Sequence, residues 1–242
     1  MKLCVAQTRP VKGEIQSNIA SHKKLVNLAV LYGAVTIIFP ELSVTGYEPK
    51  LAKALATTAD DHRFNDFQEI SDAKNIIIGI GVPTKNDRGT CISMILFHPH
   101  KEKQLYSKKY LHADEEPFFV PGENSSVLIN DKNNIALAIC YELSIPEHAV
   151  HAFNHGARTY IASVAKTAPG VEKASVTLSG IARNYSMTVL MANCIGHCDN
   201  FESAGKTSAW NSKGKLAGQL NDTHEGILIF DIDTGEIIEK TI

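Results

Sequence analysis

The chain has 242 residues, 44% of them hydrophobic and 21% charged, which is apolar mass enough for a sizeable core. Its 24 basic and 26 acidic side chains mix along the sequence to a net charge of -2, which argues against nucleic acid as a partner. Five cysteines suit a reducing compartment better than a disulfide framework, no apolar stretch approaches membrane-spanning length, and the start is too short for a signal peptide, so a cytoplasmic protein is expected.

In chain order, residues 3–7 read as a short apolar strand closed by Thr8-Arg9-Pro10. Residues 17–32 carry Leu25, Leu28, Ala29 and Tyr32 on one helical stripe, and Gly33 follows as a stop. Residues 35–39 are a second strand, apolar enough to be covered on both faces. Strand, helix, strand at this spacing implies a crossover and a layered α/β fold. Pro40 ends the strand, and Glu41 is the first charge beyond it. Such a carboxylate is a cap or a solvated loop charge, unless Phe39 and Tyr47 shield it and raise its pKa toward that of a general base.

A helix over 60–74 leads into a buried strand over 75–82, whose Gly79 and Gly81 suggest close backbone approach. No helix starts behind them, so they do not read as a phosphate loop. Strands over 90–98 and 104–107 form an antiparallel addition. Lys108 and Lys109 then open a loop that mixes Asp114, Glu115 and Glu116 with Phe118 and Phe119 without regular period. Adjacent lysines are usually solvated, but one here could serve a developing oxyanion with an acid holding it in place.

After a turn at 130–134, the run Ile135, Ala136, Leu137, Ala138, Ile139 reads as a buried strand that delivers Cys140 at its carboxyl end, where ligands of α/β sheets sit. Cys140 is either a small core residue or a nucleophile. A helix over 146–153, a strand over 159–163, a helix over 173–184 and a strand over 188–193 repeat the strand, helix, strand order, so two sheets with helices outside are expected. Cys194, His197 and Cys198 lack the second ligand pair of a zinc site and read as core cysteines beside a loop. A hairpin over 207–217 and a strand over 226–232 complete the chain.

Three ordered blocks resemble the signatures of the nitrilase superfamily, the carbon-nitrogen hydrolases. They are Phe39-Pro40-Glu41-Leu42-Ser43-Val44-Thr45-Gly46-Tyr47, then Tyr106-Ser107-Lys108-Lys109-Tyr110-Leu111 with Phe119-Val120-Pro121-Gly122, then Ile139-Cys140-Tyr141-Glu142-Leu143-Ser144-Ile145-Pro146-Glu147. The resemblance implies a four-layer αββα sandwich forming one domain over 1–242. It implies a Glu-Lys-Cys triad on Glu41, Lys108 and Cys140, with Lys109 the competitor for the lysine and Glu115, one register from Glu116, as the supporting carboxylate. Tyr47, Glu116, Tyr141 and Ser163 are the substrate-binding candidates. The implied activity is hydrolysis of a small linear amide through a thioester, with no metal or organic cofactor, in a homodimer. An N-carbamoyl hydrolase, an acyl transferase or a non-catalytic binding member are the alternatives. Ser144 stands where many relatives carry an arginine, and Tyr110 replaces a frequent histidine. A separate Cys-His reading would pair Cys140 with His148, His151 or His155.

Overall fold

The computed structural model describes residues 1–123, 128–130 and 134–242. The first half gives β1 (Lys2–Gln7), α1 (Ile15–Leu31), β2 (Thr36–Ile38), α2 (Pro49–Leu55), α3 (Asn65–Lys74), β3 (Ile77–Asn86), β4 (Gly89–Phe97) and β5 (Gln104–Ser107). The second half gives β6 (Leu128–Asn130), β7 (Ile135–Ile139), a 3-10 turn at Cys140–Ser144, α4 (Pro146–Asn154), β8 (Thr159–Val164), α5 (Ala168–Tyr185) and β9 (Thr188–Asn193). The hairpin strands β10 (Ile195–Cys198) and β11 (Phe201–Ala204) follow, then β12 (Ser208–Trp210), β13 (Leu216–Gln219), β14 (Gly226–Asp231) and β15 (Ile237–Thr241).

Two sheets result. One has the order β15-β14-β1-β2-β3-β4-β5, the other β13-β12-β9-β8-β7-β6. Within the first, β1, β2 and β3 run parallel, because α1 and then α2 with α3 supply the crossovers. Within the second, β7, β8 and β9 run parallel for the same reason, with α4 and α5 between them.

Burial sorts the apolar residues into layers. Leu3, Val5 and Met94 from the first sheet meet Leu137, Ile161 and Leu190 from the second in one shared core. The alternate residues Cys4, Ile37 and Ile78 turn the other way, onto Leu25 of α1 and Phe67 of α3. Ala138, Ala162 and Val189 likewise face Ala149 of α4 and Leu178 of α5. The period of two in each strand therefore builds three apolar seams, and the molecule is an αββα sandwich. Each fully buried Leu, Ile or Val stabilises it by about 1.5–3 kcal/mol before chain entropy is subtracted.

Several sequence expectations need adjustment. The helix expected over 60–74 splits, because the Asp61 side chain accepts from Arg63 N–H and caps a 3-10 turn before α3 begins. The strand expected from residue 75 begins two residues later, since Asn75 closes α3 in the left-handed region at φ 53°. The helix expected from residue 173 starts at Ala168, with Pro169 in its first turn. Cys194 and Cys198 are buried, as expected of core cysteines, but the loop expected beside them is largely strand β10. Part of the turn expected at 130–134 lies outside the described residues. Among the described residues no helix is long and apolar enough to cross a membrane.

Candidate active site

The carboxyl ends of the parallel strands in both sheets converge on one cluster. Ile139 pairs with Ser163 across β7 and β8, so Cys140 leaves the sheet at its edge. It does so with φ 45°, a left-handed conformation that costs a side-chain-bearing residue about 1 kcal/mol or more. The turn behind it is closed by Glu142, whose Oε2 accepts from Ile139 N–H at 2.8 Å.

Glu142 also joins this segment to the neighbouring block. Its Oε1 accepts from Lys109 N–H at 2.7 Å, and its Oε2 accepts from the Tyr106 hydroxyl at 2.8 Å. Tyr106 and Tyr160 hydroxyls bracket the His148 ring at 3.0 and 2.9 Å. Burial lowers the His148 pKa to about 4, so the ring is neutral. His148 is thus held by two tyrosines, and His151 and His155 are exposed, which removes the geometric basis for a Cys-His pair.

Glu41 sits in the turn after β2. Gly81 of β3 makes that turn reachable, because a Cβ there would lie 2.3 Å from Pro40 O and 2.6 Å from Leu42 N. Gly79 is different: a Cβ there would meet the Ile38 and Met94 side chains. From the other side α1 braces the turn, with His22 Nε2 on Ser43 Oγ at 2.8 Å and the His22 ring stacked on Phe39. Ser163 donates to Phe39 O at 2.8 Å and is fully buried, so it ties the two sheets together below the site.

Lys108 is the centre of the cluster. Its backbone N–H donates to Ile92 O, extending the β4 pairing past β5 and turning the side chain inward. Its Nζ, completely buried, donates to Glu41 Oε1 at 2.8 Å and to Glu115 Oε1 at 2.7 Å. Burial opposes the lysine charge, but Glu41, Cys140 and Glu115 outweigh it and raise the pKa. Glu115 also accepts from the Tyr47 hydroxyl at 2.9 Å and from His112 N–H at 2.8 Å. Lys109 and Glu116 are exposed and stay outside the cluster. Tyr141 is half-buried, its ring edge-on to His112.

Electrostatics set the protonation states. Burial, followed by the Glu41 charge, pushes the Cys140 thiol up to about 11, so at neutral pH the sulfur keeps its proton. Burial likewise raises the Glu41 carboxyl, against the pull of Lys108. Glu41 Oε2 is buried and has no hydrogen-bond partner among the described residues. Against burial and Glu41, the Lys166 and Lys108 charges pull the thiol toward its ionised form. Among the described residues no group of three or more His, Cys, Asp or Glu stands together as a metal site.

A family model described as carbon-nitrogen hydrolase matches residues 2–240, and the chain belongs to that family. The amidase of Nesterenkonia sp. AN1 superposes with a TM-score of 0.85 at 24% identity, over 96% of this chain and 92% of that one. A variant of that amidase, with the acetamide moiety of fluoroacetamide added covalently at its active site cysteine, also gives 0.85, at 22% identity over 100% and 90% of the two chains. The glutamine-dependent NAD(+) synthetase of Aquifex aeolicus is 22% identical over 254 residues, which is all of this chain but 44% of the synthetase. The chain therefore spans less than half the length of that relative. A nitrilase of Pyrococcus abyssi is 22% identical over 247 residues, covering 100% of this chain and 93% of the nitrilase.

Proposed function

We propose that the protein is an amidase, hydrolysing a small linear amide through a Cys140 thioester, with the whole of 1–242 acting as one carbon-nitrogen hydrolase domain. The observation that carries this reading is the completely buried Lys108 ammonium held between Glu41 and Glu115 beside Cys140. A thiol pushed up to about 11 is not a standing thiolate, so attack needs a base at the same moment. Glu41 Oε2, buried and without a hydrogen-bond partner among the described residues, is that base.

As the proton passes to Glu41, the Cys140 sulfur bonds to the amide carbon and the carbonyl oxygen becomes an oxyanion. The Lys108 ammonium and the Tyr141 backbone N–H stabilise it. Collapse expels the nitrogen, which takes the proton from Glu41 and leaves as ammonia or amine. Water then attacks the thioester, gives a proton to Glu41, and releases the acid with the thiol restored. Glu115 and Tyr47 are positioning residues that fix the ammonium through the contacts described above.

The test is ammonia release from a pool of small amides, with intact mass measured in parallel. Wild type should form an acyl or acetamide adduct with substrate or fluoroacetamide, and Cys140→Ala neither adduct nor ammonia. Ammonia release that persists in Cys140→Ala would falsify the thioester route. The same reading carries a homodimer through α4 and α5, whose Val150, Phe153 and Val176 stand exposed. Sedimentation at micromolar concentration tests it, and a monomer there would remove it.

A further inference from the structure

Cys194 and Cys198 take no part in the chemistry above, yet their sulfurs stand 3.7 Å apart. An unbent strand would hold residues four apart about 13 Å from each other. Gly196, at φ 88° inside β10, folds the segment back so that both side chains reach one point. Each cysteine is 1% exposed, and the Cys194 thiol also donates to Ser203 Oγ at 3.2 Å. The Cys198 thiol beside it lowers the Cys194 pKa, while the same contact, with burial, raises that of Cys198. Cys194 is therefore the sulfur that ionises first.

The pair borders the site. Ala165, Cys194 and Cys198 form one small apolar cluster on which Tyr47 and Phe201 pack, with those two rings 5.6 Å apart. The Tyr47 hydroxyl donates to Glu115, which holds Lys108. Asp199, next to Cys198, donates its N–H to Glu48, next to Tyr47, at 3.3 Å. Strands β10 and β11 form a two-stranded ribbon apart from both large sheets. Such a ribbon opens locally at less cost than a sheet core, which admits a small oxidant while burial keeps bulky thiols out. Two buried thiols in contact are ordinary packing until something oxidises them. Here the sulfurs need to close by about 1.7 Å to reach bonding distance.

We propose that Cys194 and Cys198 are a redox site for small hydroperoxides, whose disulfide slows the Cys140 site. The Cys194 thiolate attacks the outer peroxide oxygen, the O–O bond breaks, and the alcohol or water leaves with the proton that Cys194 gave up. Cys194 is then a sulfenic acid. The Cys198 sulfur attacks it, the S–O bond breaks, and the hydroxide leaves as water with the Cys198 proton. The dithiol loses two electrons to one hydroperoxide. The new bond draws the ribbon in beneath Tyr47 and loosens its hold on Glu115. The effect on turnover rests on the amidase reading, and the disulfide itself does not.

The test begins with Cys140→Ser, which lacks the competing thiol of the site, treated with hydrogen peroxide and mapped by mass. It should lose two hydrogens, with Cys194 and Cys198 joined, and dithiothreitol should restore it. Adding Cys198→Ser should instead leave oxygen on Cys194, because nothing resolves the sulfenic acid. In wild type, ammonia release per Cys140 still free should fall by about 5-fold or more as the disulfide forms, the worth of one ordinary hydrogen bond, and Cys198→Ser alone should escape that loss. Absence of a Cys194–Cys198 disulfide at peroxide levels that oxidise the same thiols in urea overturns the proposal. Turnover per free Cys140 that ignores the disulfide overturns its link to the site. If the disulfide forms in Cys140→Ser while untreated wild type hydrolyses no amide, the amidase reading fails and the redox site stands.

Discussion

Lys108→Met removes the one cation buried between two carboxylates and keeps a side chain of similar length. At 2.8 and 2.7 Å, each ion pair is worth about 6 kcal/mol at an effective dielectric constant near 20. Most of that is offset in the native protein by several kcal/mol of desolvation per ion. Without the lysine the offset is lost, and Glu41 and Glu115 face each other unpaired. The expected loss of unfolding free energy is about 3–5 kcal/mol at pH 8. The folded variant escapes part of this by taking up a proton on Glu41, whose carboxyl burial already raises and which has lost the opposing Lys108 charge. Across that range the folded state holds more protons than the unfolded chain, so stability falls as pH rises. Each pH unit traversed is worth about 1.4 kcal/mol. Urea unfolding at pH 8 and pH 5.5 should therefore show a deficit smaller at pH 5.5 by at least about 1.4 kcal/mol. Lys109→Met, at an exposed position, should stay within about 0.5 kcal/mol of wild type at both. A Lys108→Met deficit independent of pH would refute the argument, because it would mean that lost packing and not unpaired charge is responsible. In amide hydrolysis the same variant should lose at least about 100-fold in kcat.

Three further outcomes can be checked. Glu142→Gln keeps the shape but presents an amide to three donors, so it should cost about 2–4 kcal/mol in urea unfolding and lower kcat more than it raises KM; a loss under about 1 kcal/mol would show that the charge is not needed. Cys140→Gly should be at least as stable as Cys140→Ala, reversing the usual order, because φ is 45° there; a thermal melt with alanine clearly ahead would contradict the left-handed assignment. His22 and His148 take a proton near pH 4 when folded and near 6.5 when unfolded, so stability should fall as pH drops through that interval, by up to about 3 kcal/mol for each; His22→Gln should flatten the slope in urea titrations at pH 7, 5.5 and 4.

The strands were legible in the sequence wherever an apolar run is buried on both faces, as in β2, β7, β8 and β9. What was missed has local causes. Helix α2 is seven residues long with two lysines, too short to show a period. Strand β15 is an edge strand whose Glu239 and Lys240 hide its alternation. The β10 and β11 hairpin turns at Asp199 and Asn200, with Asp199 in the left-handed region at φ 39° and Gly196 at φ 88° inside β10, conformations that the residue types permit but do not announce. At the site, the residues that meet around Lys108 come from three blocks that could be recognised as blocks. The choice of Lys108 over Lys109, and of Glu115 over Glu116 beside it, is a matter of which way a side chain turns. That direction depends on the backbone bond from Lys108 to Ile92 and on the turn from His112 to Glu115, neither of which leaves a mark in residue type.

The cluster is assembled across the interface between the sheets. Glu41 follows β2 and Lys108 follows β5 of the first sheet and they meet across 67 residues of sequence, while Cys140 follows β7 of the second, whose turn is tied to the first by the Lys109 N–H to Glu142 bond across 33. Neither sheet alone holds a charged lysine next to a thiol. During folding, the chain therefore passes through its long search for non-local partners before burial can raise the Cys140 thiol. On refolding from urea, secondary structure should return first and alkylation at Cys140 should reach its native rate only when the sandwich closes. The surroundings of Cys140 are completed by the last assembly step, and a nascent or half-folded chain presents there no more than an ordinary cysteine.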